Sequence, residues 1–74
     1  MNKATQNQKV LEYMKQHGSI DQWRAMNELR IMRLGARIWD LKAAGISIVT
    51  VMRRKVNEDG SFTRWAEYSL GDAA

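Results

Sequence analysis

The residues of this chain whose types are suited to chemistry are mainly cations, and they are concentrated in its second half. Residues 30–64 carry eight basic and three acidic side chains, a net charge of +5, whereas the rest of the chain has four basic and five acidic ones. A positive field on one part of a protein is typical of a domain that binds a polyanion. The competing interpretation is a solvated basic surface without a partner, because a total charge of +4 is common among small domains.

Two of these cations lie one helical turn apart in a segment whose apolar residues recur every three or four positions. The periodicity predicts a helix over 33–44 with a buried face formed by Leu34, Ile38 and Leu41. Four residues are expected on its outward side: Arg33, Ala36, Arg37 and Asp40. An arginine there can reach a phosphate or the O6/N7 edge of guanine, and the Ala36 methyl can touch a thymine methyl. The alternative is that Arg37 and Asp40 form an ordinary surface ion pair.

A second group of cations flanks a predicted turn over residues 57–60: Arg53, Arg54, Lys55 and Arg64. The Asp-Gly pair in that turn is a strong hairpin signal, and the flanking strands are predicted over 46–52 and 62–70. Strand alternation sends Arg53 and Lys55 to one face and Arg54 to the other. Contact with phosphates or a minor groove is one interpretation. The other is that these cations only keep an edge strand from pairing with other chains.

Three tryptophans are many for a chain of this length. Trp39 is expected at the side of the helix over 33–44, and Trp65 alternates out of phase with the apolar residues of its strand. Partly exposed tryptophans favour a contact surface for another protein, since tryptophan is enriched at binding hot spots. The alternative is that each ring covers an edge of the domain.

The patterns that catalysis or metal binding would need do not occur. His17 is the only histidine, and without cysteine or a carboxylate cluster beside it no metal site is predicted. It is expected to stabilise the end of the first helix through its interaction with the helix dipole. There is no Ser/His/Asp arrangement, no glycine-rich phosphate loop and no paired-carboxylate spacing. The sequence therefore predicts a binding protein without a cofactor, and not an enzyme.

Length and composition limit the classes of protein further. A chain of 74 residues predicts one domain over 1–74, with an ordered core over residues 5–70. The absence of cysteine excludes disulfides and predicts a cytoplasmic location. Residues 1–7 lack a signal-peptide pattern, and no apolar run approaches the roughly 20 residues that span a bilayer. No membrane partner is expected.

The elements that must position these residues follow from capping signals. Thr5, with Gln8 three residues later, predicts the start of a helix over 6–16 that ends at Gly18. After an extended link over 19–21, Asp21 is expected to cap a second helix over 22–29. Residues 72–74 and the preceding glycine are expected to fray.

A break is predicted between the second and third helices although residues 30–32 contain neither glycine nor proline. On one continuous helix over 22–44, the competing prediction, Ile31 would point about 160° away from Leu29. Two helices joined by a tight turn avoid that conflict. Three helices followed by a hairpin predict an α+β fold, a winged helix-turn-helix with a C-terminal two-stranded wing.

The chain also resembles a family of small winged helix-turn-helix proteins that are common in bacteriophages and prophages. The resemblance covers residues 5–70, and its most specific part is Arg33-Leu34-Gly35-Ala36-Arg37-Ile38-Trp39-Asp40-Leu41. Tyr68-Ser69-Leu70 also matches, whereas Met32 stands where members usually have a Ser or Thr that caps the third helix. The resemblance implies a DNA-binding fold, but it does not identify an operator or a pathway.

Two hypotheses follow. The first is a phage or prophage regulator in the bacterial cytoplasm that binds double-stranded DNA, with the third helix in the major groove and the basic wing on the backbone. Tight binding by so small a module would need a dimer or several adjacent sites. The second is a protein-interaction module that binds and inhibits a host protein, with Trp39 and Trp65 in the contact.

Overall fold

The computed structural model of the chain describes residues 2–71. Its elements, in chain order, are α1 (Lys3–His17), β1 (Ser19–Asp21), α2 (Gln22–Leu29), α3 (Leu34–Ala43), β2 (Ile48–Val56) and β3 (Phe62–Leu70). The strands form one antiparallel sheet in the order β1-β3-β2. The α+β arrangement of three helices and a C-terminal hairpin is confirmed. The link predicted over 19–21 is in fact a third strand, because it pairs with β3.

The hydrophobic core lies between the three helices and the base of the sheet. Its buried residues are Val10, Tyr13, Met14, Ile20, Ala25, Ile31, Leu34, Ile38 and Leu41. From the hairpin, Ile48, Tyr68 and Leu70 pack against this cluster. Beyond Ile48, every residue of β2 is exposed. The hairpin therefore projects from the core as a wing, and we use that name for residues 48–70.

The first helix begins earlier than predicted. Asn2, not Thr5, is the N-cap: the Asn2 side-chain oxygen accepts a hydrogen bond from the Thr5 backbone N–H at 2.9 Å. Thr5 therefore lies inside α1, and the predicted start at residue 6 is wrong. The predicted end is confirmed, since Gly18 has φ 89° and its N–H donates to the carbonyl of Met14 at 2.9 Å.

The second helix has the bounds that the sequence predicts. The Asp21 carboxylate accepts the Arg24 backbone N–H at 2.9 Å, which is the expected cap. The helix ends at Arg30, which adopts the left-handed conformation (φ 60°, ψ 32°) that non-glycine residues rarely take. This turn brings the Ile31 N–H to the carbonyl of Ala25 at 2.9 Å and buries the Ile31 side chain completely. The predicted break is confirmed.

The start of the third helix is held by a residue from the second. Arg33 occupies the N-cap position of α3 but makes no side-chain cap. Instead, the Gln22 side chain donates to the carbonyl of Ile31 at 3.1 Å and accepts the Leu34 backbone N–H at 3.0 Å. Gln22 thus replaces the missing Ser or Thr at position 32. Because the cap comes from α2, the angle between the two helices is fixed where they meet.

The base of the wing is closed by a contact of Gly71. Its N–H donates to the carbonyl of Ser47 at 2.7 Å, so the fraying predicted for this residue is wrong. A Cβ on Gly71 would lie too close to the Ser47 hydroxyl, so a larger residue here requires the Ser47 side chain to move. The fraying predicted for residues 72–74 lies outside the described residues. The first wing strand, predicted over 46–52, in fact spans Ile48–Val56, because β3 pairs with this range.

Replacing Gln22 by alanine should destabilise the fold by about 1–2 kcal/mol, the usual cost of losing a helix cap. Alanine keeps the helix propensity of α2, so the loss reports the two hydrogen bonds to the turn. Urea denaturation measures it. The control is Gln16→Ala on the exposed face of α1, which should change the free energy of unfolding by less than about 0.5 kcal/mol. Equal stabilities of the two variants would contradict the assignment.

Candidate nucleic-acid interface

The outward face of α3 is centred on Trp39. The exposed residues of the helix are Gly35, Trp39, Lys42 and Ala43, and Ala36 is half-buried. Positions 35 and 43 are each four residues from Trp39, so all three lie on one stripe. Trp39 is 69% exposed, and Met32, in the turn before the helix, is 75% exposed. The face that can meet a partner is therefore apolar along its middle.

Arg37 lies on the opposite side from the one predicted. It is only 9% exposed, its guanidinium donates to the Gln6 side-chain oxygen on α1 at 3.2 Å, and it pairs with Asp40 at 3.1 Å. The outward orientation expected for it is wrong. Arg37 follows Leu34 by three residues and precedes Leu41 by four, a spacing that puts all three on one face of a helix. Its contact with DNA stays a prediction, which this burial does not favour.

The other residues expected on the outward side of α3 differ in exposure. Arg33 is exposed and has no side-chain hydrogen bond or ion pair within residues 2–71. Ala36 and Asp40 are half-buried, and the carboxylate of Asp40 is occupied by Arg37. The expected surface pair of Arg37 and Asp40 therefore exists, but it lies against α1. Sequence reasoning missed Lys42 and placed Trp39 at the side of the helix, although the spacing from Gly35 to Ala43 was readable.

The register of the wing sorts its four cations onto two faces. Arg54 is paired with Arg64, Lys55 with Thr63 and Arg53 with Trp65. Paired residues of antiparallel strands share a face, so Arg54 and Arg64 lie on the face that carries Ile48, Tyr68 and Leu70 at its base. We call this the core-side face of the wing and the opposite one its outer face. The predicted separation of Arg53 and Lys55 from Arg54 is confirmed.

On the outer face, Arg53 is engaged by an acid. Its guanidinium donates to Glu67 Oε1 at 3.2 and 3.1 Å, and the other oxygen of Glu67 pairs with Arg24 at 3.4 Å. Arg24 in turn pairs with Asp21 at 3.3 Å. Two arginines and two carboxylates thus form one network that joins the wing to the start of α2. The positive charge of Arg53 is largely balanced inside this network.

On the core-side face, the two arginines have no acid beside them. None of the strand residues on this face is acidic, and neither Arg54 nor Arg64 has an ion pair within residues 2–71. The Arg54 guanidinium lies 5.2 Å from the centre of the Phe62 ring, which is a cation–π contact. Like charges directly opposite each other destabilise a sheet. The repulsion between Arg54 and Arg64 therefore destabilises the hairpin, and a bound anion would relieve it.

The turn at the end of the wing is acidic. The hydroxyl and the backbone N–H of Ser61 both donate to the Asp59 carboxylate, at 2.6 and 2.9 Å. These hydrogen bonds hold the pKa of the Asp59 carboxyl below its ordinary value. Glu58 beside it is exposed. The turn therefore repels phosphate, and an anion would be held along the strands.

A groove separates the wing from the start of α2. Its volume is about 450 Å³, and it is lined by Asp21, Gln22, Trp23, Lys55, Asn57, Thr63 and Trp65. Trp23 is 70% exposed, whereas Trp65, predicted as partly exposed, is half-buried. Gln22, which lines this groove, is also the residue that caps α3. Lys55 supplies an additional cation without an ion pair in the described part of the chain.

Neither a membrane span nor a metal cluster is found in the described range. Within residues 2–71, no helix is long and apolar enough to cross a membrane. In the same range, no group of three His, Cys, Asp or Glu residues is placed to hold a metal ion.

The fold and the cations along its wing define the class of the protein. Residues 5–73 match the family of winged helix-turn-helix domains, and the chain belongs to that family. The comparison with curated proteins and the comparison with solved structures gave no match. Membership of this family suggests DNA as a binding partner in general.

Replacing Arg37 by alanine should destabilise the fold by about 1–3 kcal/mol, because it leaves the partly buried Asp40 carboxylate without its partner. Thermal and urea denaturation measure this. Arg33→Ala is the matched control, since Arg33 is exposed and has no side-chain hydrogen bond or ion pair within residues 2–71; it should stay within about 0.5 kcal/mol of the parent chain. If both variants unfold alike, the contacts of Arg37 with α1 do not stabilise the domain.

Proposed function

We propose that this protein is a regulator that binds double-stranded DNA, with α3 in the major groove and the wing on the phosphate backbone. The observation that carries the proposal is the Arg54–Arg64 pair. In a chain of a DNA-binding fold family, two like charges lie opposite each other on a wing face without acids. Phosphate contacts position such a domain on the duplex, while contacts with base edges give specificity.

Other exposed cations add positive charge elsewhere on the domain. Lys55 lies on the outer face of the wing, and Arg33 and Lys42 lie near the two ends of α3. Arg53 contributes less, because Glu67 holds it. Asp40 is likewise occupied, by Arg37. Counterion release from several phosphates would then supply most of the non-specific affinity.

The resemblance described above supports a phage or prophage regulator that acts in the bacterial cytoplasm. A single module of this size buries roughly 600–1,000 Å² on DNA, which limits its affinity. Tight binding to one operator therefore requires a second copy of the chain or several adjacent sites. Whether the regulator represses or activates transcription depends on where its binding site lies on the DNA.

The wing assignment is tested by the salt dependence of binding to a short labelled duplex of random sequence. Arg54→Ala and Arg64→Ala should each reduce the slope of log affinity against log salt by about one unit, because each loses one phosphate contact. The neighbouring Arg53→Ala should leave the slope nearly unchanged, since that arginine already pairs with Glu67. Fluorescence anisotropy over a salt series measures all three.

Melting curves supply the structural control for these variants. Arg64→Ala should leave the melting temperature equal to or above that of the parent chain, because it removes the repulsion between like charges. Arg54→Ala removes the same repulsion but also the cation–π contact with Phe62, so its melting temperature should stay close to that of the parent chain. Equal slopes for the parent chain and all three variants would remove the wing from the interface. Weak binding without any salt dependence would instead contradict DNA binding altogether and favour a protein partner.

A further inference from the structure

The surface that α3 presents is unusual for a helix that reads base edges by hydrogen bonds. Its stripe consists of Gly35, Trp39 and Ala43, with the half-buried Ala36 beside it. Of these side chains only the indole N–H of Trp39 can donate a hydrogen bond, and none can accept one. Arg37, one of the two arginines predicted to reach guanine, is buried against α1.

Small residues on both sides of Trp39 make the indole the most protruding group of the stripe. Gly35 lies one turn before it and Ala43 one turn after it, so the helix backbone can approach a surface closely at both points. The major groove is about 12 Å wide and admits an α-helix. A helix placed there with this face inward would put the indole against base edges.

Charge on either side of the stripe favours DNA as the occupant. Arg33 precedes the helix and Lys42 lies in its last turn, and neither has an ion pair within residues 2–71. An apolar centre between two cations matches a groove whose floor carries methyl groups and whose walls are phosphates. A protein hot spot is also apolar at its centre, but it does not require unpaired cations at both ends.

We propose that Trp39 is the main specificity residue of this protein and that it recognises thymine in the major groove; this inference rests on the proposed function. Thymine presents a C5-methyl group and the O4 acceptor on the same edge. The indole offers an apolar ring and a single N–H donor, which fit that pair of groups. Cytosine has no methyl and presents a donor, while the purines present acceptors without a methyl group. The preferred site therefore carries a T·A pair at the position that the indole contacts.

The experiment begins with selection of bound duplexes from a random-sequence pool by the full chain. Each thymine of the selected duplex is then replaced by uracil, which removes only the methyl group. At one or two positions uracil should weaken binding of the parent chain by about fourfold, the factor that corresponds to burying one methyl-sized group. Anisotropy titrations of the parent duplex and the substituted duplexes give the ratio.

Substitutions at Trp39 test whether the indole causes the difference in affinity between the thymine and uracil duplexes. Trp39→Ala should bind thymine and uracil duplexes equally, and low salt keeps its binding measurable through the wing. Trp39→Phe keeps an aromatic ring without the N–H and should retain part of the ratio. Trp23→Ala is the matched control: Trp23 is 70% exposed, as Trp39 is 69% exposed, but it lies on α2. This variant should keep the full ratio.

The outcomes separate the two proposals. Sequence-selective binding that is equally strong with uracil at every position overturns the thymine assignment and leaves DNA binding intact. A thymine-to-uracil ratio that persists in Trp39→Ala overturns the role of the indole. Absence of salt-dependent binding to any duplex overturns both proposals. Loss of self-association in Trp39→Ala, with DNA selectivity unchanged, would show that this face meets a second copy of the chain.

Discussion

The turn between α2 and α3 is the constraint on which the rest of the structure depends. Its backbone contains a left-handed arginine and no glycine, so local preferences alone do not stabilise it. Two interactions do: complete burial of Ile31, and the hydrogen bonds of Gln22 to both sides of the turn. Because Gln22 caps α3 from within α2, the helix that presents Trp39 has a fixed start and a fixed rotation. The same residue lines the groove beside the wing.

The wing obeys a different balance of forces. Only its base packs on the core, and its outer part is maintained by strand pairing along the full register. Exposed strands can carry charge at little desolvation cost, which permits several cations close together. These cations differ in whether an acidic side chain lies beside them. Glu67 binds Arg53 within a network that reaches Asp21, whereas Arg54 and Arg64 face each other without an acid. The net positive charge on each face of the wing therefore depends on which arginines have an acidic partner, and not only on how many arginines the face carries.

In α3, residue spacing predicts the buried apolar face correctly but not the orientation of Arg37. The apolar triad of Leu34, Ile38 and Leu41 was identified correctly, and it is buried. The helical wheel predicts Arg37 on the outward side, but its spacing to Leu34 and Leu41 places it close to their face. The helix tolerates it there because Gln6 and Asp40 supply partners for the guanidinium. A charged residue such as Arg37 at a core-facing position of a helix indicates that a neighbouring element, here α1, supplies a hydrogen-bond partner.

The sequence by itself determined several local features: the bounds of α2, the C-terminal end of α1, the hairpin turn and the break before α3. These depend on neighbouring residues, such as Asp21 with Arg24 or Gly18 with Met14, and short spacings encode them. Tertiary structure alone decided that residues 19–21 form a strand, that Gln22 caps α3 and that Glu67 neutralises Arg53. Each of these joins residues from different elements. Their meeting depends on sheet register and on the rotation of whole helices, which are set by burial of the common core and are not encoded in local spacing.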